Sequence, residues 1–390
     1  MIGAPTYEFR LPRVIITGAG CFGRLGEQAK ALGISKALVV TDAELRRYPY
    51  VDQALSYLAD AGVAADVFTG VIPEPLAPNV DAGLAAFREG ECDALVAVGG
   101  GSSIDVAKSI AALARNGGRI ADYEGSGKIP GPRAPLIAVP TTAGTGSEVT
   151  KNAIITDVER DVKMLIMSPC LIPDVAIVDP LLTLTLPPHI TMATGIDALT
   201  HAIEAYVSRR AQPITDTLAL DAIRLIAGSL RQAWANGDDL EARSKMMRGQ
   251  LVAGMAFSNS SVALVHGMAR PIGAHFHVPH GLSNAVLLVT VMEFSLPGNP
   301  PRFADVAEAM GENVAGLSVM AAARKAVDAV RELAEDVQVP SLRGAGVDPE
   351  KLRELAPKMA RDALASGSPA NNPRRATAEE IVALYLKAGG

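Results

Sequence analysis

Imidazole binds metals and also titrates near neutrality, so the six histidines are where chemistry is to be sought first. Four of them, His266, His275, His277 and His280, fall between positions 266 and 280, and the other two are His189 and His201. His201 follows Asp197 by four residues in a stretch of helical periodicity, Gly195, Ile196, Asp197, Ala198, Leu199, Thr200, His201. On a helix that spacing stacks both side chains on one face, where they can share a divalent ion. An ordinary surface pair or a core polar contact has the same spacing, although the apolar neighbours argue against the surface version. His266 and His280 would complete the set. Three imidazoles and one carboxylate suit Fe(II) or Zn(II) and match Ca(II) or Mg(II) poorly. An ion held there acts as a Lewis acid, lowering the pKa of an alcohol oxygen or, in reverse, polarising a carbonyl for hydride attack.

A second group of residues suits phosphate. The apolar run 94–98 leads into Gly99, Gly100, Gly101 and Ser102, with a helix expected from about Ser103. Such a turn brings backbone amides and a positive helix end against a pyrophosphate. It lacks the third small residue of the Rossmann glycine fingerprint, and alone it serves equally as a plain tight turn. Thr141, Thr142, Ala143, Gly144, Thr145, Gly146, Ser147 and Glu148 form another loop after a strand, dense in hydroxyls; a capped helix start is the bland alternative. Asp42 ends the run Val39, Val40, Thr41. A carboxylate there accepts hydrogen bonds from ribose hydroxyls and repels a 2′-phosphate, favouring NAD over NADP, unless it merely caps a helix.

These groups need a scaffold, and the chain supplies two kinds. Runs 14–16, 37–40, 65–68, 94–98, 136–139 and 175–178 read as strands alternating with helices, and 152–157 with 162–166 as a hairpin around the charged turn Glu159, Arg160, Asp161. Strands apolar on both faces imply a covered parallel sheet. From about Thr191 helical periodicity takes over, with helices expected over 192–208, 214–235, 240–257, 317–333 and 379–387. The boundary is placed at Pro187 and Pro188, giving an α/β nucleotide-binding domain over 1–187 and an all-helical metal-binding domain over 188–390.

Bulk properties exclude several classes. Lys and Arg total 36 against 42 Asp and Glu in 390 residues, and no basic stripe is present, so no nucleic-acid partner is expected. Mean hydropathy is +0.22, yet Gly, Pro or charge interrupts the apolar runs, so a large core rather than a membrane span is expected. The first ten residues lack the order of a secretory signal, and Cys21, Cys92 and Cys170 suggest no disulfide framework; a cytoplasmic protein with buried thiols is expected.

With its glycine turn, its Pro-Thr-Thr-Ala-Gly-Thr-Gly-Ser-Glu loop from 140 to 148, and the motifs around His266 and His280, the chain resembles the iron-dependent (group III) alcohol dehydrogenases over nearly its whole length. The resemblance implies a dehydroquinate synthase-like fold with cofactor and metal in a cleft between the domains. It also implies Asp197, His201, His266 and His280 as metal ligands, with iron the usual ion and zinc acceptable. Gly100, Gly101, Ser102, Thr141, Thr142 and Thr145 would then contact the NAD diphosphate, Asp42 the adenosine ribose, and Asn152 and Lys163 the nicotinamide end. The implied reaction is hydride transfer between a small alcohol or aldehyde and nicotinamide, in a homodimer or larger homo-oligomer. A same-fold lyase that recycles NAD internally, and a non-catalytic NAD-binding protein, are the alternatives. Arg270 stands where small-alcohol members of the family carry a further histidine. Its fork suits a carboxylate, phosphonate or sulfonate on the substrate, or else a structural carboxylate. His277 is a candidate proton relay or a solvated histidine.

Overall fold

The computed structural model describes residues 6–160 and 162–389, so residues 1–5 of the signal-sequence reading and Asp161 of the expected turn lie outside the described residues. Strands β1 (Val14–Thr17), β2 (Lys36–Asp42) and β3 (Ala64–Val71) alternate with helices α1 (Leu25–Ala31), α2 (Tyr50–Asp60) and α3 (Ala77–Glu89), and β4 (Ala94–Gly99) runs into α4 (Gly101–Asn116). Then come β5 (Gly125–Ser126), β6 (Leu136–Pro140), the hairpin β7 (Asn152–Asp157) with β8 (Val162–Met167), and β9 (Val175–Val178). Six strands make one parallel sheet in the order β1-β9-β6-β4-β2-β3.

Sides alternate along a strand, and both faces of this sheet are covered, which is why residues 37–40 of β2 and 94–98 of β4 are all apolar. Leu38, Val40, Leu95 and Ala97 face a core shared with Ile104 and Ile110 of α4, while Val39, Val96 and Val98 face one shared with Leu25 and Val51 of α1 and α2. From β2 the chain moves outward to β3, then crosses back to β4, β6 and β9. The carboxyl ends of β2 and β4, at Asp42 and Gly99, therefore flank the point where strand order reverses, the crevice in which open α/β sheets bind ligands.

The second half is helical: α5 (Pro188–Val207), α6 (Pro213–Ala227), α7 (Leu230–Ala235), α8 (Leu240–Asn259), α9 (Leu264–Phe276), α10 (His280–Ser295), α11 (Pro300–Ala309), α12 (Val319–Asp336), α13 (Pro349–Ala365) and α14 (Ala378–Gly389). The single helix expected over 214–235 is two, broken at Gly228 and Ser229. Helices α9, α10, α11 and α13 escaped the sequence reading. α10 is apolar on nearly every face and shows no stripe, and α9 and α13 carry Pro271 and Pro357 in their interiors. His280–Gly298 is by length and composition apolar enough to cross a bilayer, yet it carries Gly281 and Glu293 and half of it is buried inside the protein, as in a core helix. Among the thiols, Cys92 is buried while Cys21 and Cys170 are only partly so.

The two halves meet at a glycine seam. Gly146, at φ +61° in the loop after β6, lies against Gly254 of α8 so closely that a Cβ built on it would sit 2.6 Å from the Gly254 Cα. Gly146 N donates to Gln250 Oε1 (2.8 Å), and Gln250 Nε2 donates to the buried Glu148 Oε1 (2.6 Å).

Candidate active site and metal centre

Helices α5, α9 and α10 bring Asp197, His201, His266 and His280 together: one ligand-type atom from each lies within 4.8 Å of the others. The first three are buried and His280 is half-buried. His266 Nε2 lies 3.6 Å from Asp197 Oδ1 and His201 Nδ1 4.0 Å from it, both beyond hydrogen-bonding range. These two ring nitrogens are buried without a partner. Orphaned buried acceptors are costly, and an ion shared by the four side chains relieves that cost, so the residues fit a divalent N/O site.

Glu204, three residues after His201 on α5, holds this arrangement from behind. Its Oε2 lies 2.6 Å from His266 Nδ1 and accepts from Ala263 N (2.9 Å), and its Oε1 accepts from Val265 N (2.6 Å). One carboxylate thus caps the start of α9 and keeps a proton on His266 Nδ1, which makes Nε2, on the side of Asp197, the nitrogen left for an ion. Asn284, four residues after His280, donates to Asp197 Oδ1 (2.7 Å) and lies 3.3 Å from His280 Nε2. Phe257 stacks on His201 at 4.2 Å. Glu204 and Asn284 are not among the residues that sequence pattern singles out. Their spacings of three and four from a histidine were the available signal.

Burial pushes His201 down to about 4 and His280 to about 3, so both rings are neutral at physiological pH. At His266 burial works the same way but is outweighed by Glu204 and Asp197, and its pKa rises to about 9. Burial also opposes charge on Asp197, yet His201 and His280 hold its carboxyl below the ordinary range.

The dinucleotide candidates gather at the sheet's carboxyl edge. α4 begins at Gly101, two residues earlier than expected, with Gly100 as its N-cap. A Cβ on Gly101 would lie 2.8 Å from Thr145 Cγ2, and one on Gly100 3.5 Å from Thr142, so the two loops pack directly together. Thr141 N donates to Gly99 O (3.0 Å) and Thr141 is buried. Ser102 Oγ donates to Pro73 O (2.5 Å). Asp42 accepts from Leu45 N (2.7 Å) through Oδ1, as a turn cap. Two buried residues of α4 fix the loops: Asp105 accepts from Ser147 Oγ and Ile154 N, and Lys108 Nζ donates to Thr150 O, Thr150 Oγ1 and Asn152 O. Lys163 Nζ is paired with Glu74 Oε2 (2.5 Å), and Asn152 Oδ1 is buried without a partner.

A cavity of about 160 Å³ joins the two groups, lined by Gly101, Ser102, Thr145, Asn152 and Lys163 on one side and by His201, His266, Arg270 and His280 on the other. Arg270, one turn after His266 on α9, has its Nε buried and unpartnered. His277 is not brought into this group. It is exposed, at φ 56°, where α9 ends and the chain turns toward His280, and it does not line the cavity. A relay through its ring next to the four clustered side chains does not fit this placement.

Residues 12–180 match the family described as "Iron-containing alcohol dehydrogenase", and residues 191–389 match "Fe-containing alcohol dehydrogenase family, C-terminal". The chain is 45% identical to 1,3-propanediol dehydrogenase of Klebsiella pneumoniae over 98% of both chains. It is 41% identical to NAD-dependent methanol dehydrogenase of Bacillus methanolicus, over 98% of this chain and 99% of the relative. A crystal structure of 1,3-propanediol oxidoreductase superimposes with a TM-score of 0.96 at 45% identity, covering 98% of this chain and 100% of that one. Two family matches that between them take in both halves, and relatives spanning the full length, make this chain a member of the iron-containing alcohol dehydrogenases.

Proposed function

We propose that the chain catalyses reversible hydride transfer between a small primary alcohol and NAD, with Asp197, His201, His266 and His280 holding one Fe(II) or, alternatively, Zn(II). The observation carrying this reading is that the four side chains cluster within 4.8 Å of one another and that three of them, His201, His266 and His280, line one cavity with the dinucleotide-type loops. A bound divalent ion supplies Lewis acidity to the alcohol oxygen. The protein does the rest by positioning. Glu204 keeps the His266 proton on Nδ1, and Asn284 orients Asp197 and His280. Gly100, Gly101, Ser102, Thr141, Thr142 and Thr145 receive the diphosphate at the α4 N-terminus, Asp42 the adenosine ribose, and Asn152 and Lys163 the nicotinamide end. Phe257 and Val262 supply apolar walls that exclude water from the reacting carbon.

Two broader statements belong to the same proposal. The open edge of β1, which pairs only with β9 among the described residues, supports association into a homodimer or larger oligomer. The unpaired thiols of Cys21, Cys92 and Cys170 support a reducing, cytoplasmic setting. The deciding experiment is anaerobic reconstitution with Fe(II) or Zn(II), followed by NADH absorbance with a panel of alcohols and aldehydes. Net NADH formation that disappears on chelation is expected, and full turnover by the metal-stripped protein would refute the reading.

A further inference from the structure

Beside the metal-centre cavity lies a second, larger chamber of about 450 Å³, and the two share Asn152, Leu165, Phe257, Val262 and Arg270 along their common wall. None of the diphosphate-loop residues Gly101, Ser102 or Thr145 lines the outer chamber, so it lies on the substrate side of the cavity rather than along the dinucleotide.

Its charge is one-sided. Among the described residues, five ionisable side chains line it: Glu8, Arg10, Lys151, Arg210 and Arg270. Glu8 is paired with Arg10, which leaves Lys151, Arg210 and Arg270 as three cations with no ion-pair partner among the described residues. Glu204, the carboxylate whose charge acts on Arg270, already accepts from His266 and two backbone amides. Arg270 sits at the junction of the two chambers with Nε buried and unsatisfied. Burial lowers it only to about 10, so it stays charged at neutral pH. Burial and the like charges of Arg210 and Arg10 also press on Lys151. Keeping three cations together around a half-enclosed space is unfavourable unless an anion is drawn there. Ser258, Ser261 and Ser368 add hydroxyls to the same wall.

Building on the dehydrogenase reading above, we propose that the substrate carries a small oxyanionic group at the end remote from the reacting carbon, gripped by Arg270 and drawn in by Lys151 and Arg210. The substrate class is a short ω-hydroxy acid or its sulfonate or phosphonate counterpart. In the oxidising direction the carbinol carbon loses a hydride to NAD, the hydroxyl loses its proton to solvent, and the product is the aldehyde with its anionic group intact.

The test pairs 3-hydroxypropionate, 2-hydroxyethanesulfonate and 2-hydroxyethylphosphonate with the neutral diols 1,3-propanediol and ethylene glycol. It measures kcat/KM in the metal-loaded enzyme with NAD and, separately, calorimetric binding to the protein without turnover. At least one anion is expected to exceed its neutral counterpart by about tenfold, the size of a charge-assisted contact, and to identify which oxyanion is recognised. Arg270→Gln should cut that ratio and the anion's affinity at least tenfold, with Arg270→Lys between. Arg210→Gln, at an exposed position that can be changed without disturbing the core, should lower the anion's on-rate and its salt dependence. Anions that bind no better than diols, or a charged-to-neutral ratio identical in wild type and both Arg270 variants, would overturn the proposal. If no alcohol of either kind yields NADH, the dehydrogenase reading fails, and the binding measurement still decides whether an anion site exists.

Discussion

Replacing Glu204 with Gln tests how far the metal centre depends on a residue that touches no ion. The side chain is buried, and its two oxygens accept three N–H groups: Val265 N on Oε1, and Ala263 N together with His266 Nδ1 on Oε2. A glutamine of the same shape has one acceptor oxygen and an NH2. If its oxygen serves Ala263 and His266, the NH2 faces the Val265 N–H and that donor is left unsatisfied. If the amide turns round, His266 must accept at Nδ1, and its proton then moves to Nε2, the nitrogen needed by an ion. Either arrangement costs about 1.5–3 kcal/mol, from a lost charge-assisted bond or an unsatisfied buried donor. At about 1.4 kcal/mol per decade this is roughly a 10- to 100-fold loss of metal affinity, in line with the general effect of removing a ligand's supporting partner. Chelator-competition titration of Fe(II) or Zn(II) measures it directly. NMR of the metal-free protein should also show the His266 pKa falling from about 9, because Glu204 is the chief group raising it against burial. A folded Glu204→Gln protein that binds metal within twofold of wild type would refute the tautomer argument.

Three further outcomes are expected. Gly101→Ala places a methyl 2.8 Å from Thr145 Cγ2 and should weaken NADH binding tenfold or more in a fluorescence titration; unchanged affinity would remove the two-loop diphosphate site. In metal-free protein, acidification from about pH 6.5 through 4 should lower Tm. The unfolded chain takes up protons at His201 and His280 that the native state refuses, with roughly 3 kcal/mol at stake for His201 alone. His266, with its raised value, contributes in the opposite sense and loses its share between about pH 6.5 and 9; a Tm flat from pH 7 to pH 4 would contradict the burial argument. Cys21, whose thiol is pushed up to about 12 by burial and by Asp179, should alkylate at pH 8 about a thousandfold more slowly than a free thiol, as followed by mass spectrometry.

The sheet was legible because its strands are short β-branched runs buried on both sides, as in Leu95, Val96, Ala97 and Val98. The metal cluster was legible because histidine is scarce here and Asp197 and His201 share one turn spacing. What stayed hidden depends on tertiary placement. Glu204 meets His266 across 62 residues and Asn284 meets Asp197 across 87, and no local pattern announces such meetings. Helices α9 and α10, which carry His266 and His280, were hidden by an interior proline in one and by the absence of a polar face in the other. His277 drew notice through proximity in sequence to His280, but a left-handed residue between two helices sends its ring outward.

The near-touching backbones of Gly146 and Gly254 limit how the halves can move. A contact without side chains leaves no cushion for sliding, and Gln250 ties the same spot to the nucleotide loop. Relative sliding of the halves is therefore resisted at this spot. Thr142 and Thr145, placed here at the diphosphate, share their loop with Gly146, whereas none of Gly146, Gln250 or Gly254 lines the outer chamber. The loop placed here at the diphosphate is thus seated by backbone lying directly on backbone.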